Sequence, residues 1–232
     1  IEKYIVEKAF KEGWIKPHIP KSRTGKTIAV IGSGPAGLAA AQQLNRAGHN
    51  VTVFERDDKI GGLLRYGIPN FKLEKNIIDR RVDILIKEGI VFKTETNVGV
   101  NYDIDKLKNF DAIVLCGGAT KARSLPTPGI ESSGVVQAMD FLTQQTKVVF
   151  GEKIKNRIKA TNKNVIVIGG GDTGSDCIGT SNRQGAKSVK NFEIMPKPPG
   201  HRSPSTPWPY WPLQLRTSSS HKEGCERNWL IN

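Results

Sequence analysis

Two glycine turns of the form Gly-x-Gly-x-x-Gly constrain this chain more than any other feature. They are Gly32-Ser33-Gly34-Pro35-Ala36-Gly37 and Gly169-Gly170-Gly171-Asp172-Thr173-Gly174. Each follows a short apolar run and opens a stretch of helical pattern. TIAVI at 27–31 reads as a buried parallel strand, 35–47 as a helix with Leu38, Ala41 and Leu44 inward, and NVTVF at 50–54 as the next strand. The order returns with NVIVI at 164–168, a helix over 172–184 and a strand over 189–195. In such a unit Gly32 allows the tight turn, Gly34 lets the backbone approach a pyrophosphate, and Gly37 lets helix and strand pack closely. The helix N-terminus then offers N–H groups and a partial positive charge. Glu55 and Glu193 fall about 20 residues past their turns, at strand ends, where a carboxylate accepts ribose hydroxyls. A lone turn of this kind also occurs as a purely structural feature; strand, glycines, helix, strand and acid in register favour a dinucleotide.

Other segments carry weaker signals. Residues 1–12 place Ile1, Ile5, Val6, Ala9 and Phe10 at helical spacing, and Gly13, Pro17 and Pro20 make 13–25 an extended connector. A glycine-rich, Arg-bearing segment at 61–70 precedes an amphipathic helix at about 74–88, with Ile77, Ile78, Val82, Leu85 and Ile86 inward. DAIVL at 111–115 reads as another buried strand, ended by Gly117 and Gly118. Prolines cluster from Pro196 to Pro212 among Trp208, Tyr210 and Trp211, which predicts an irregular segment with a functional reason for its length. The last twenty or so residues show little apolar periodicity and no closing strand.

The composition narrows the class. No apolar run approaches the roughly 18 residues that suggest a membrane span, and no signal-peptide pattern opens the chain; the expectation is a cytoplasmic protein with no membrane partner. Cys116, Cys177 and Cys225 are odd in number and far apart, so a disulfide framework or a metal site is not expected. Cys116 and Cys177 read as small buried apolar residues. The net charge of +13 comes from scattered, interleaved basic residues, which suits a solvated face or an acidic protein partner better than nucleic acid. His18, His49, His201 and His221 are scattered and read as solvated or capping.

Two dinucleotide sites together imply FAD in one and an exchanging NADH or NADPH in the other, the arrangement for hydride transfer onto a flavin. Glu193 favours the free 2′-hydroxyl of NADH, whereas Arg183 and Lys197 are near enough in sequence to reach the 2′-phosphate of NADPH, and the choice stays open.

A family resemblance adds to this. Glu55-Arg56, the run Ile60 to Pro69 (IGGLLRYGIP), Gly169 to Cys177 (GGGDTGSDC), Ser181 to Ala186, Phe192 to Pro199 (FEIMPKPP) and Pro207 to Pro212 (PWPYWP) together resemble the glutamate synthase small subunit. The resemblance covers nearly the whole chain and extends to related modules of dihydropyrimidine dehydrogenase and of flavin-based ferredoxin–nicotinamide oxidoreductases. It implies an α/β, Rossmann-like, three-layer fold with two dinucleotide-binding domains, the NAD(P)H domain inserted into the FAD domain. The expected division is an N-terminal helix and linker at 1–21, an FAD domain at 22–121 and an NAD(P)H domain at 122–232.

By position, Gly32, Gly34, Pro35, Ala36, Gly37, Glu55, Arg56, Gly62, Leu63 and Ile68 would line FAD, with Val98 and Gly118 as further candidates. Gly171, Asp172, Thr173, Gly174, Arg183 and Glu193 would line the nicotinamide cofactor. The family's iron–sulfur clusters sit in a cysteine-rich domain before the first helix, and its FAD domain closes with a later glycine–aspartate segment. This chain shows neither, so it is expected to be a fragment, with clusters only in a preceding region. Electrons would pass to a glutamate synthase large subunit. A diaphorase-type subunit with another acceptor, or a redox-sensing module without electron transfer, are the alternative readings.

Overall fold

Each glycine turn lies where the sequence places it, between a strand and the helix that crosses to the next parallel strand. In the computed structural model, which describes residues 1–231, the chain divides into two units, Ile1–Ser124 and Leu125–Asn232.

The first unit opens with Glu2–Lys11 (α1) and continues through Thr27–Ile31 (β1), Pro35–Arg46 (α2) and Asn50–Phe54 (β2). Leu63–Tyr66 (α3), Lys75–Lys87 (α4), Val91–Lys93 (β3), a 3-10 turn at Ile104–Asn109 and Ala112–Leu115 (β4) follow. The four strands are all parallel in the order β3-β2-β1-β4. The order reverses beside β1, so the chain leaving β1 enters the crevice at the carboxyl edge where open α/β sheets take their ligands.

One sheet face is buried under α2 and α4, with Val30, Val51, Val53, Ala41, Val82 and Leu85 in one cluster. The other face carries Ala29, Phe54 and Leu107, with the Tyr102 and Phe110 rings 4.9 and 5.8 Å from that of Phe54. The aliphatic burial is the driving term, at roughly 1.5–3 kcal/mol for each fully buried large side chain.

The second unit comprises Ala138–Val149 (α5), Asn164–Ile168 (β5), Asp172–Arg183 (α6), Ser188–Glu193 (β6), Ser219–Lys222 (α7) and Glu226–Trp229 (β7). Its strands are parallel in the order β5-β6-β7. Its core is Phe141, Leu142, Ala160, Val167, Cys177, Ile178 and Val189. The α/β, Rossmann-like class expected from the sequence is thus observed in both units.

Several expectations need correction. A closing strand does exist: β7 pairs with β6 from Lys190↔Glu226 to Glu193↔Trp229. Its ERNW sequence shows no apolar alternation, because backbone pairing to β6 holds it in place. Ile86 faces solvent, and Ile84 takes an inward position beside Leu85. Strands β4 and β5 are not buried on both faces; Ile113, Leu115, Ile166 and Ile168 are all exposed. The stripe on α1 is largely exposed at Ile1, Ile5 and Val6. That helix is held instead by Arg80, which makes two hydrogen bonds to Glu7 and lies 4.0 Å from the Phe10 ring. Helix α5 and strand β3 were not expected; α5 buries Phe141, Leu142 and Thr146 at helical spacing.

Candidate functional site: two glycine turns at strand ends

The three glycines of each turn do different work. Gly32 and Gly169 have φ of +104° and +105°, a conformation open to glycine. A Cβ on Gly37 would stand 1.9 Å from the carbonyl oxygen of Gly32, and one on Gly174 would stand 2.1 Å from that of Gly169. Those glycines let the helix approach the turn. Gly34 and Gly171 are the N-caps of α2 and α6, in extended backbone, with no side chain capping the helix. A Cβ at either would meet nothing within 4 Å. The space before each helix N-terminus is therefore a cradle that only a missing side chain keeps open, and it suits the oxygens of a pyrophosphate. The residues present fit a bound dinucleotide at both turns.

Around the first turn, the buried Glu55 carboxylate accepts from the Ser33 amide at 2.9 Å, from the Ser33 hydroxyl, and from the Asp57 amide at 2.9 Å. The Ser33 oxygen in turn accepts from the Gly61 amide at 3.0 Å. This chain of bonds ties the end of β2 and the segment at 61–70 to the turn. Gly62, at φ +53°, approaches so closely that a Cβ there would lie 2.9 Å from the Cα of Gly34.

The structure thus brings Gly32, Gly34, Pro35, Ala36, Gly37, Glu55 and Gly62 together. Leu63 is exposed at the start of α3, and Ile68 is half-buried past its end. Arg56 is exposed beside Glu55, and Gly118 is exposed past β4. Val98 packs in the Phe54 cluster and bridges to Tyr102.

Sequence reasoning missed the residues that hold the 61–70 segment. Buried Lys75 donates to the carbonyls of Leu64, at 2.9 Å, and Ile68. Buried Arg65 bonds the Ile60 carbonyl at 3.0 Å and pairs with Asp79. An Arg and a Lys flanking a Gly-rich loop were the visible signal. Both long side chains serve the backbone, where unpaired carbonyls would be costly.

Around the second turn, Asn191 is fully buried and donates to the carbonyls of Val167 and Gly169 at 3.0 Å each. Glu193 ends β6 with its carboxylate over Gly170, where a Cβ would lie 2.1 Å from it. Arg227 of β7 pairs with it at 2.7 Å. Asp172 and Thr173 are exposed in the first turn of α6. The Ser175 and Ser218 hydroxyls lie 2.6 Å apart, and Ser218 caps α7 and meets His221 Nδ1 at 2.7 Å. Arg183 does not join this group. It closes the far end of α6, about 16 Å of helix rise from the turn, and makes two hydrogen bonds to Glu223.

Among the described residues no group of three or more His, Cys, Asp or Glu could hold a metal ion, and all three cysteines are free thiols. Among the described residues, no helix is long and apolar enough to cross a membrane.

Residues 26–203, which contain both turns, match the pyridine nucleotide-disulphide oxidoreductase family. The chain belongs to that family. Within it, the chain is 56% identical over its whole length to the glutamate synthase [NADPH] small chain of Mycobacterium tuberculosis (strain H37Rv), and 55% identical over 96% of its length to that of Bacillus subtilis. It is also 52% identical over 96% of its length to the glutamate synthase [NADH] of Schizosaccharomyces pombe, of which it covers 11%. The chain spans about half the length of the bacterial relatives, 49% and 46%. The resemblance to glutamate synthase small subunits read from the sequence is borne out. Among solved structures, FprA of Mycobacterium tuberculosis in complex with NADPH shares the fold at TM-score 0.61 and 21% identity, over 74% of this chain and 44% of that one.

Proposed function

We propose that this chain is the dinucleotide-binding part of a glutamate synthase small subunit, an oxidoreductase in which NAD(P)H reduces FAD. The observation that carries the reading is the pair of turns, each with an open cradle at its helix N-terminus and an acid at the next strand end. Similarity to glutamate synthases over 96–100% of the chain supports it.

In this reading residues 22–121 hold FAD and 122–232 hold the nicotinamide nucleotide as an insertion, while 1–21 connect to a preceding region carrying iron–sulfur clusters. FAD, when bound, accepts the hydride and releases its electrons onward through the clusters to a large subunit that makes glutamate in the cytoplasm.

The chain's own part is binding and orientation. The amides beyond Gly34 and Gly171 meet pyrophosphate oxygens, and the third glycines keep each helix dipole close to them. Glu55, already fixed by Ser33 and Asp57, presents its remaining lone pairs to a ribose. Gly62, Leu63 and Ile68 border the same cradle through the contact of Gly62 with Gly34. Arg56, Val98 and Gly118 are the outer members of the FAD set, and Asp172 and Thr173 of the nicotinamide set.

The test uses the full-length protein. It should purify yellow with bound flavin, and anaerobic addition of NADPH or NADH should bleach it. With the large subunit, glutamine and 2-oxoglutarate it should form glutamate. A colourless protein, or a flavin that neither nucleotide reduces, would overturn the proposal.

A further inference from the structure

We propose that Arg227, aided by Lys197, reads the 2′-phosphate of the nicotinamide nucleotide, so that the second site takes NADPH in preference to NADH. The inference rests on the reading above and deepens it.

Parallel pairing sets Asn191 opposite Arg227 and Glu193 opposite Trp229, so these four side chains share one face of the sheet at its carboxyl edge. Val167, opposite Asn191, shares that face and packs in the core with Cys177 and Ile178 of α6. The carboxylate over Gly170 and its arginine thus stand beside the second glycine turn.

Glu193 alone would repel a 2′-phosphate. Here it is neutralised by a pair whose side chains are only 12% and 18% exposed, where screening is weak. A second cation stands close by. The Arg227 guanidinium lies 4.9 Å from the Trp229 ring centroid, and the Lys197 ammonium lies 5.2 Å from the same ring. Arg227 pairs with the one carboxylate, and both cations lie against the same indole.

Two donors of this cluster remain unspent. Arg227 Nε and Trp229 Nε1 are buried without a hydrogen-bond partner among the described residues, whereas the Arg227 Nη atoms bond Glu193 and the Arg216 carbonyl. A cluster with surplus positive charge and unspent donors matches a phosphate dianion better than a hydroxyl. The first site differs in the expected direction. Glu55 is held by the neutral donors of Ser33 and Asp57, and FAD has no 2′-phosphate to read.

The experiment uses the full-length flavoprotein and two probes, adenosine 2′,5′-bisphosphate and adenosine 5′-monophosphate, titrated by calorimetry. kcat/KM for NADPH and NADH is measured alongside. The wild type should favour the bisphosphate and NADPH. Arg227→Gln should weaken the bisphosphate about tenfold or more while the monophosphate changes less than about threefold, as expected for one lost charge-assisted contact. The NADPH-to-NADH ratio of kcat/KM should fall in step, and Arg227→Lys should recover part of it.

Lys197→Gln, at an exposed position, should lower the same ratio to a smaller extent and decides the matter if Arg227→Gln fails to fold. Equal weakening of both probes, a wild type that takes NADH at least as well, or an unmoved ratio in both Gln variants overturns the proposal. A wild type that binds neither probe overturns the nicotinamide reading itself, and this inference with it.

Discussion

Gly32 and Gly37 are locked together: a single methyl on Gly37 would stand 1.9 Å from the Gly32 carbonyl oxygen, while Gly34, between them, faces open space. The same division recurs between Gly169, Gly174 and Gly171. One motif therefore contains a packing glycine and a glycine open to the proposed ligand, and substitution separates them.

Gly37→Ala should destabilise the first unit by about 1–3 kcal/mol, because the overlap is with backbone that cannot swing aside. Gly34→Ala should leave the thermal midpoint nearly unchanged, since its φ of −66° suits any residue. Its methyl instead fills the cradle, and flavin content of the purified full-length protein should drop. Differential scanning calorimetry and flavin absorbance read the two effects apart. Equal loss of stability from both would show that Gly34 is a packing glycine too.

Glu55 is the second point of test. Its carboxylate collects the Ser33 amide and hydroxyl and the Asp57 amide. Glu55→Ala leaves the buried Ser33 donors without their carboxylate, at a cost of about 1–3 kcal/mol, and removes the proposed ribose acceptor. Flavin retention after dialysis should fall, and thermal stability should fall with it. Glu55→Gln, which keeps one acceptor oxygen, should lie between. Full flavin content in the Ala variant would remove Glu55 from the cofactor site.

Much of this was legible because glycine spacing and strand hydrophobicity are local signals. The βαβ order and both turns followed from residues 27–55 and 164–193 alone. The misses were long-range. Nothing in ERNW announces a strand, since β7 is fixed by its partner rather than by its own pattern. Arg183 sits close in sequence to the second turn, yet α6 carries it to the opposite end, and Arg227, distant in sequence, arrives beside Glu193 across the sheet. Ion-pair partners across parallel strands leave no trace in sequence spacing.

Cys177 offers a chemical readout of the second core. The thiol is buried against Ile178 and Val167, and that burial, with the Asp176 charge adding to it, pushes its pKa up to about 12. At pH 8 only about one molecule in 10,000 carries the thiolate, the reactive form. In the native full-length protein, alkylation mapped by mass spectrometry should leave the Cys177 peptide unmodified, and urea should expose it. Ready labelling under native conditions would mean that α6 opens on its own.

Acid should weaken the first unit through two carboxylates. Burial raises the pKa of Glu88, but the His18 amide and Arg46 at 3.0 Å each, with the Gln42 amide, outweigh it and hold the group below its ordinary value. Asp111 is drawn down to about 2 by Lys26 at 2.8 Å and by the amide and hydroxyl of Thr27, which join the start of β1 to the approach to β4. Both are depressed in the folded state, so protonation favours unfolding. Their contribution is complete above the unfolded carboxylate range, near pH 4, and is lost as pH falls from there towards 2. Thermal midpoints of the full-length protein should be level between pH 7 and 5 and should drop below pH 4. Glu88→Gln should lower the midpoint at pH 7, with about 1–3 kcal/mol lost as Arg46 and the His18 amide forfeit a charged acceptor, and should flatten the acid limb. An acid limb unchanged in that variant would show that Glu88 titrates alike in the folded and unfolded chains.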